Sequence, residues 1–289
     1  MKIITRITDM QNLSASEKKC GKSIGYVPTM GFLHEGHLTL IDRARAENDL
    51  VIVSIFVNPL QFGPKEDLSS YPRDFERDCK LLEKHKADYV FYPSAEEMYP
   101  RSLSVTVKVQ DRTDVLCGKS RPGHFDGVAT VLTKLFSIIQ PEKVYFGLKD
   151  AQQVAVVDGL VSDFNLPIEI VPVDTVREDD GLAKSSRNVN LLPEERKQAP
   201  TLYQSLIEAK KMILAGESNP KAVIAYMKDM ISEGTDGIID YVEIYSYPEL
   251  KEIKKLHGKV IIALAVKFTK ARLIDNVIID IDEKRPIGG

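Results

Sequence analysis

The sequence VPTMGFLHEGH, residues 27–37, places two histidines three positions apart directly after an apolar run. The chain has five histidines in 289 residues, so two of them fall in this short window. The apolar run predicts a strand, and the residues from His34 to about Asn48 predict a helix with Leu38 and Ile41 on one face. The two histidines therefore lie where the first predicted strand passes into a helix.

A junction of this kind favours a site for an anionic ligand. The first turn of a helix offers backbone N–H groups without intrahelical partners and a partial positive charge, and phosphate binds there readily. Gly31 and Gly36 let the backbone approach a ligand closely. His34 and His37 share one helix face, so both can donate to one phosphate group. Taken alone, the pair also fits two ordinary exposed histidines, whereas a metal site would lack a third ligand nearby.

The wider pattern predicts an α/β fold with a Rossmann-like parallel sheet over residues 1–175. Continuous apolar runs, typical of strands covered on both faces, alternate with amphipathic helical patterns. The predicted strands are Ile24–Val27, Leu50–Val57, Asp88–Tyr92, Lys143–Phe146 and Ile168–Val173. Because ligands bind outside the carboxyl ends of such strands, we expect a ligand site in this domain.

Residues 176–289 follow a different pattern, which predicts a smaller C-terminal α+β domain. Two helical segments, Pro193–Ala215 and Asn219–Ser232, precede three β-rich runs without helices between them. Those runs are Ile238–Tyr245, Lys259–Lys267 and Arg272–Asp280, and their succession favours a mainly antiparallel sheet.

Two connections are longer than the loops usual between parallel strands. Asn58–Arg73 is rich in Pro, Gly, Ser and charged residues, and Ser94–His124 includes an alternating stretch, Ser104–Val109, that predicts an edge strand. Long loops at strand ends often bind ligands or close over them. Asn58–Arg73 could serve as a lid or as a dimer surface, and the sequence does not choose between these.

The composition excludes several classes of function. A net charge of −3, with 28% charged residues, gives no general field for nucleic acid or a membrane surface. The three cysteines are odd in number and show no CxxC spacing, as is usual in a reducing compartment. No apolar segment reaches the roughly 18 residues of a membrane span, and the N-terminus lacks a signal-peptide core. We therefore expect a soluble, cytoplasmic protein.

Two further clusters suit a polyphosphate ligand. GLAKSSRN, residues 181–188, places two cations and two hydroxyls within four positions, although a solvated surface loop could have the same content. FGLKDAQQ, residues 146–153, follows a predicted strand and opens a helix, so Lys149 would face the strand ends. The sequence CGKS occurs twice but is not a P-loop, because Ser16 and Thr113 stand where the earlier glycine is required.

Taken in order, these stretches resemble the pantoate–β-alanine ligase (pantothenate synthetase) family. HEGH matches the HxGH signature of the nucleotidylyltransferase superfamily, and GLAKSSRN stands where class I aminoacyl-tRNA synthetases have a lysine- and serine-rich loop. From about residue 20 to 192, the matching stretches are PTMGFLHEGH, FVNPLQFGPKEDLSSYPRD, RPGHFDGVATVLTKLF, FGLKDAQQ and REDDGLAKSSRNVNL. HxGH alone is moderately specific, whereas the ordered set is highly specific.

The resemblance implies a two-step reaction that consumes ATP. Pantoate and ATP would form pantoyl adenylate and pyrophosphate, and the amine of β-alanine would then displace AMP to give pantothenate, a coenzyme A precursor. Activation is needed because a carboxylate is a poor acyl donor, whereas AMP is a good leaving group. Mg²⁺ would bridge the phosphates without a dedicated protein cage. The family also implies a homodimer, and we expect the C-terminal domain to cap the active site and limit hydrolysis of the adenylate.

The family's functional residues carry over to matching positions of this sequence, and none is implied as a metal ligand. The implied catalytic residues are His37 as proton donor, His34, Lys149, Ser185 and Arg187. The implied ATP-binding residues are Met30, Gly31, His34, Gly36, His37, Gly147, Leu148, Lys149, Asp150, Val176, Lys184, Ser185, Ser186 and Arg187. The implied substrate-binding residues are Met30, Asn58, Gln61 and Gln153, with both glutamines on pantoate and with Gln61 and Asn58 serving the β-alanine step.

Two positions depart from the family pattern. Leu148 stands where glutamate is usual and removes a charge beside Lys149, and Lys184 stands where methionine is usual and adds a cation. We expect Lys184 to strengthen polyphosphate binding and to make it more dependent on salt. The alternative is a Lys184 side chain directed to solvent.

Three other functions remain as alternatives. An adenylyltransferase that moves AMP onto a phosphate would share HxGH but need no amine-accepting step, and the segments of Gln61 and Gln153 argue against it. A nucleic-acid-binding fragment of a tRNA synthetase would need an anticodon-binding domain and a basic face, which the net charge disfavours. A catalytically silent nucleotide sensor would bind ATP without turnover.

Overall fold

The computed structural model describes residues 1–63 and 68–281. The chain divides into two compact units. The first consists of Met1–Thr113, Gly118–Leu148 and Val156–Asp174, and the second of Asp114–Cys117, Lys149–Ala155 and the chain from Thr175 on. The long connection Asn58–Arg73 includes residues 64–67, so the expected lid or dimer surface lies partly outside the described residues. Among the residues that are described, no helix is long and apolar enough to cross a membrane.

The first unit is built on a parallel sheet that has six strands in the described part of the chain. The strands are β1 (Lys2–Ile4), β2 (Ile24–Thr29), β3 (Leu50–Ile55), β4 (Tyr89–Phe91), β5 (Lys143–Gly147) and β6 (Glu169–Val173). Their order is β1-β4-β3-β2-β5-β6, and every pairing is parallel. The chain runs outward from β2 first through β3 and later through β5, so the strand order reverses at β2. Ligands bind at such a switch point, outside the carboxyl ends of the strands.

Helices fill the connections of this sheet and confirm the predicted α/β class. They are α1 (Ile7–Lys19), α2 (Glu35–Glu47), α3 (Phe75–Lys84), α4 (Ala95–Met98), α5 (Leu116–Ser120), α6 (His124–Ile139) and α7 (Ala151–Asp163). Leu40, Ile41 and Ala44 of α2 are buried in one cluster with Val51 and Val53 of β3. The apolar run at β3 is continuous because all six of its residues are buried.

Strand register brings three connections to one edge of the sheet. β2 and β5 pair with Gly25 opposite Lys143, and β2 and β3 pair with Thr29 opposite Ile55. The carboxyl ends of β2, β3 and β5 are therefore close to level. The segments that begin at Met30, Phe56 and Leu148 consequently start from the same edge.

The second unit contains an antiparallel sheet and three helices among its described residues, which confirms the predicted α+β class. The elements are α8 (Pro193–Gln198), α9 (Pro200–Leu214), α10 (Pro220–Gly234), β7 (Ile238–Ser246), β8 (Lys259–Lys267) and β9 (Arg272–Asp280), with sheet order β7-β8-β9. The prediction of one helix over Pro193–Ala215 is wrong. The segment is divided at Ala199, because Pro200 has no N–H to continue α8 and instead begins α9.

The edge strand predicted at Ser104–Val109 does not form. The N–H of Val107 donates to Thr130 Oγ1 at 3.0 Å, and the N–H of Val109 donates to Asp126 Oδ1 at 2.8 Å. Side chains of α6 thus satisfy backbone donors that a neighbouring strand would otherwise pair. Val105 is 79% exposed, so the alternation that favoured a strand does not correspond to a buried face.

Candidate active site

The two histidines of HEGH form the N-terminal cap of α2. His34 is the cap residue, and its Nδ1 accepts a hydrogen bond from the N–H of Gly36 at 3.2 Å. His37 Nδ1 accepts from the N–H of His34 at 3.3 Å, so the two side chains cap the helix reciprocally. Their rings lie 4.1 Å apart between centroids, with 36° between the ring planes.

This capping arrangement decides which ring nitrogen holds the proton. A neutral imidazole whose Nδ1 accepts a hydrogen bond has its proton on Nε2 and is a donor there. His34 and His37 are therefore two neighbouring Nε2–H donors at a helix N-terminus, where the backbone also favours negative charge. The arrangement suits the oxygens of a phosphate group.

A buried carboxylate from α3 holds the turn that leads into the cap. Gly31 and Phe32 both have left-handed backbone, with φ of 82° and 51°. Asp78 accepts from the N–H of Phe32 at 2.7 Å and from the N–H of Leu33 at 2.8 Å, and it is 1% exposed. Burial raises the pKa of the Asp78 carboxyl, while the two N–H donors oppose that change.

Arg77, which precedes Asp78 in α3, contacts the same turn before α2. Arg77 donates from Nη1 to the carbonyl oxygen of Leu33 at 2.9 Å, and its guanidinium lies 5.4 Å from the ring centroid of Phe32. Neither Arg77 nor Asp78 was predicted from the sequence. The available signal was an aspartate, Asp78, on the face of α3 that otherwise buries Leu82, since a charge on an apolar face requires a partner.

We expect Asp78→Ala to lower the free energy of unfolding by about 2 kcal/mol or more, because two buried N–H groups lose their acceptor. Relief of the buried charge offsets part of this loss. Urea unfolding followed by circular dichroism measures the change. Asp74→Ala is the matched control, since Asp74 is exposed and caps the same helix through the N–H of Arg77, and it should cost about 1 kcal/mol. Equal effects of the two variants would contradict the role given to Asp78.

Three predicted substrate-binding residues form one hydrogen-bonded group. Asn58 is 1% exposed and donates from Nδ2 to Gln61 Oε1 at 3.2 Å and to the carbonyl oxygen of Gly127 at 3.1 Å. Gln61 donates from Nε2 to Met30 Sδ at 3.2 Å. Tyr99, which was not predicted from the sequence, donates from its hydroxyl to Asn58 Oδ1 at 2.8 Å, and burial raises its pKa so that the proton stays in place.

The start of α6 fixes the backbone of this group. His124 Nδ1 donates to the carbonyl oxygen of Gln61 at 2.8 Å, which leaves Nε2 to accept from Arg121 Nη1 at 3.0 Å. Arg121 Nη2 also donates to the Gln61 carbonyl at 3.3 Å. Both residues belong to the stretch RPGHFDGVATVLTKLF, to which the sequence alone assigns no role. They lie 60 and 63 positions from Gln61, a separation at which no local pattern predicts pairing.

The remaining predicted residues are divided between the units. Gly147 ends β5 in the first unit, and Leu148 follows it. Lys149, Asp150 and Gln153 belong to the second unit, where Lys149 Nζ lies 3.4 Å from Asp150 Oδ2 and Gln153 is in the first turn of α7.

The second unit also contains the predicted phosphate loop, residues 184–187. This loop follows a hairpin formed by residues 176–183. Lys184 N–H donates to the carbonyl oxygen of Val176 at 2.9 Å, and Arg177 forms a β-bridge with Ala183. Ser185 then caps a short 3₁₀ turn, Ser186–Asn190, by accepting from the N–H of Arg187 at 3.3 Å. The hairpin thus leads through Lys184 and the cap residue Ser185 into the short turn that contains Ser186 and Arg187.

The predicted site residues share a chemistry that suits an anionic ligand. Over residues 1–63 and 68–281, no group of three or more His, Cys, Asp or Glu side chains is arranged to hold a metal ion. The predicted site residues instead offer imidazole, ammonium, guanidinium, amide and hydroxyl donors, which match phosphate and carboxylate oxygens.

Comparison with known proteins agrees with this chemistry. The profile of the family described as pantoate-beta-alanine ligase matches residues 2–278. The pantothenate synthetase of Geobacillus sp. (strain WCH70) is 63% identical over 281 residues, which are 97% of this chain and 100% of that protein. The pantothenate synthetase of Bacillus subtilis (strain 168) is 63% identical over 285 residues, 98% of this chain and 99% of that protein.

Solved structures show the same similarity. A pantothenate synthetase from Thermus thermophilus is 43% identical, with a TM-score of 0.91 over 96% of this chain and 99% of that one. A pantoate-beta-alanine ligase from Francisella tularensis, in complex with beta-gamma ATP and beta-alanine, is 35% identical, with a TM-score of 0.79 over 96% of this chain and 97% of that one. Because a family profile and relatives of this identity span almost the whole sequence, the chain belongs to the pantoate-beta-alanine ligase family.

Proposed function

We propose that this ligase joins pantoate to β-alanine in two steps through a pantoyl adenylate. A pantoate carboxylate oxygen attacks the α-phosphate of ATP and pyrophosphate leaves; the amine of β-alanine then attacks the acyl carbon, and AMP leaves with pantothenate as the product. The observation that best supports this is that the pair of capped histidines and the Met30–Asn58–Gln61 group follow strands β2 and β3, which end at one sheet edge. The Francisella relative, solved with an ATP compound and β-alanine, supports the choice of ligands.

We assign phosphate binding to residues that donate hydrogen bonds or bear positive charge. Negative charge develops on the departing pyrophosphate, so donors that are already in place stabilise the transition state. His37 is the proposed proton donor. The other phosphate-binding residues of the proposal are His34, Lys149, Lys184, Ser185, Ser186 and Arg187.

The nucleotide and the two organic substrates take the remaining residues. Backbone at Gly31, Gly36 and Gly147 lies close to the nucleotide in this proposal, and a Cβ at Gly147 would meet no protein atom within 4 Å. Val176, Leu148 and Asp150 complete the nucleotide contacts. Gln61 and Gln153 bind the carboxylate and hydroxyls of pantoate, because an amide both donates and accepts, and Met30 packs beside Gln61. Asn58 assists the β-alanine step.

Mg²⁺ is part of the proposal as a companion of ATP. Because the donor set of the site suits anions, the metal would be held by phosphate oxygens and water rather than by a protein cage. When bound, it would neutralise charge on the phosphates.

We further propose a cytoplasmic homodimer in which the C-terminal domain, residues 176–289, limits the loss of adenylate to water. The cysteine pattern supports a reducing compartment. Sedimentation equilibrium measures the oligomeric state.

Exchange of labelled pyrophosphate into ATP tests the proposed reaction. With pantoate and without β-alanine, we expect exchange, because the adenylate forms reversibly. Addition of β-alanine should then release AMP and pantothenate. Exchange that needs another acid, or transfer of AMP onto a phosphate, would contradict the proposed substrates, and ATP binding without any exchange would indicate a nucleotide sensor.

We expect Lys184→Met to raise the KM for ATP by about threefold at low ionic strength, as for other partly exposed charge pairs. The rise should shrink at high salt, because screening already weakens the interaction in the parent. Steady-state kinetics at two salt concentrations measures both effects. Lys221→Met, at an exposed position of α10, is the matched control and should change neither. An unchanged KM and salt dependence in Lys184→Met would show that this side chain does not bind ATP.

A further inference from the structure

A buried ion pair joins the hairpin before the phosphate loop to the last strand of the second sheet. Arg177 donates to both carboxylate oxygens of Asp275, from Nη1 at 2.6 Å and from Nη2 at 3.0 Å. The side chains of Arg177 and Asp275 are 16% and 4% exposed. Burial raises the pKa of the Asp275 carboxyl, and the Arg177 guanidinium opposes that change.

The same arginine fixes the shape of the hairpin itself. Arg177 Nη1 also donates to the carbonyl oxygen of Gly181 at 3.1 Å, and its guanidinium stacks 3.7 Å from the ring centroid of Tyr203. Gly181 has φ of 92°, and a Cβ there would lie 2.5 Å from Tyr203 Cδ1. The tip and the base of the hairpin are thus both held, and the residues that follow, Lys184–Arg187, leave it in a fixed direction.

The neighbour of Asp275 holds the other cationic segment. Asn276, 8% exposed, donates from Nδ2 to the carbonyl oxygen of Lys149 at 2.9 Å. Its own N–H donates to Asp275 Oδ1 at 2.8 Å. Two consecutive residues of β9 therefore act on both cationic segments of the second unit: Asn276 contacts Lys149 directly, and Asp275 holds the hairpin that leads into Lys184–Arg187.

We propose that Asp275 and Asn276 are positioning residues, which set the place of Lys149 and of the Lys184–Arg187 loop for the adenylation step. This inference rests on the proposed function of those two segments. A purely structural role explains the contacts less well, since buried ion pairs contribute little net stability compared with well-packed apolar side chains. What the pair supplies is a defined geometry, on which stabilisation of a transition state depends.

Asn276→Ala tests the contact with Lys149 without leaving a buried charge unpaired. We expect the kcat of pantoate-dependent pyrophosphate exchange to fall about tenfold, while the KM for pantoate stays within about twofold, because the lost bond misplaces a phosphate-binding group. Asn219→Ala, which removes a cap of α10 in the same unit, is the matched control and should leave kcat unchanged. A kcat for Asn276→Ala equal to that of the control would overturn the role of Asn276.

A test in the Lys149→Ala variant distinguishes a positioning role of Asn276 from a general effect on folding. In Lys149→Ala, the backbone carbonyl is kept and the ammonium is gone, so Asn276→Ala should cause no further loss of exchange if Asn276 acts through that ammonium. A full additional tenfold loss would instead show a general structural effect and overturn the proposal.

The ion pair is tested by replacing both partners together. Removal of one partner alone strands a buried charge, whereas Arg177→Met with Asp275→Leu substitutes apolar side chains of similar length. We expect a folded protein with exchange at least tenfold slower than the parent; parental exchange would overturn the role of the pair. If the parent itself shows no exchange, the proposed function fails. Calorimetric binding of a non-hydrolysable ATP analogue then compares the parent with the variants directly. Equal affinities would overturn the inference, and weaker binding by the variants would support it.

Discussion

Replacement of His37 by asparagine is expected to slow pantoate-dependent pyrophosphate exchange by about 100-fold or more, the usual loss when a positioned proton donor is removed. Asparagine is chosen because its Oδ1 occupies nearly the place of the histidine Nδ1. The variant can therefore still accept from the N–H of His34 and keep α2 capped. What it loses is the Nε2–H that we assign to the phosphates.

His37→Gln supplies the complementary control. A glutamine amide reaches the region of Nε2 and can donate there, but it gives up the short-range acceptor of the cap. We expect His37→Gln to retain more exchange activity than His37→Asn and to unfold at lower urea concentration. Exchange by His37→Asn within about threefold of the parent, far below the usual loss, would show that His37 caps the helix without serving the reaction.

Gly127→Ala is expected to disrupt the group formed by Met30, Asn58 and Gln61, because Gly127 packs against the backbone of residues 60 and 61. A Cβ at Gly127 overlaps the backbone carbonyl of Leu60 and would lie 2.7 Å from the N–H nitrogen of Gln61. Backbone cannot move aside as a flexible side chain can, so we expect a loss of about 1–3 kcal/mol in the free energy of unfolding. In the variant, the hydrogen bond from Asn58 to the carbonyl oxygen of residue 127 would also be strained. We therefore expect the KM for pantoate to rise about tenfold, the equivalent of about 1.4 kcal/mol.

The same substitution at Gly159 isolates the effect of the site. Gly159 lies within α7, and the nearest atom to a Cβ there is the end of the Arg112 side chain, at 3.4 Å. Because alanine is a better helix former than glycine, Gly159→Ala should be neutral or stabilising by up to about 1 kcal/mol. Urea unfolding and steady-state kinetics on both variants check the contrast. Similar behaviour of the two variants would mean that contact with Leu60 and Gln61 is unimportant.

Long apolar runs were predictable from the sequence, because each is a local pattern. The strand at Leu50–Ile55 is buried along its whole length, so its composition alone identifies it. The three-residue strand Lys2–Ile4 has one buried residue and left no such pattern. Ser104–Val109 had the alternation of a strand but bonds to side chains of α6 instead.

The residues that hold the candidate site in place were not predictable in the same way. Asp78, His124 and Asp275 contact their targets across 45 to 98 positions of sequence. Such pairs depend on how helices and strands pack, and a single sequence gives no signal for tertiary pairing beyond an unexpected charge on an apolar face. The motif residues themselves were found by resemblance, and their roles stay a prediction.

The way in which Asp78 holds the turn before α2 has a consequence for how this enzyme can diverge. Asp78 binds main-chain N–H groups, which every residue except proline possesses, so the bond does not depend on the identity of residue 32. Phe32 is half-buried and has φ of 51°, a conformation that asparagine and glycine adopt more easily. The bond to Asp78 should therefore survive substitution at position 32, most easily by those two residues, although the contact of the Phe32 ring with Arg77 would be lost. Position 78, in contrast, should remain under strong purifying selection, since no other side chain of that length offers two carboxylate oxygens.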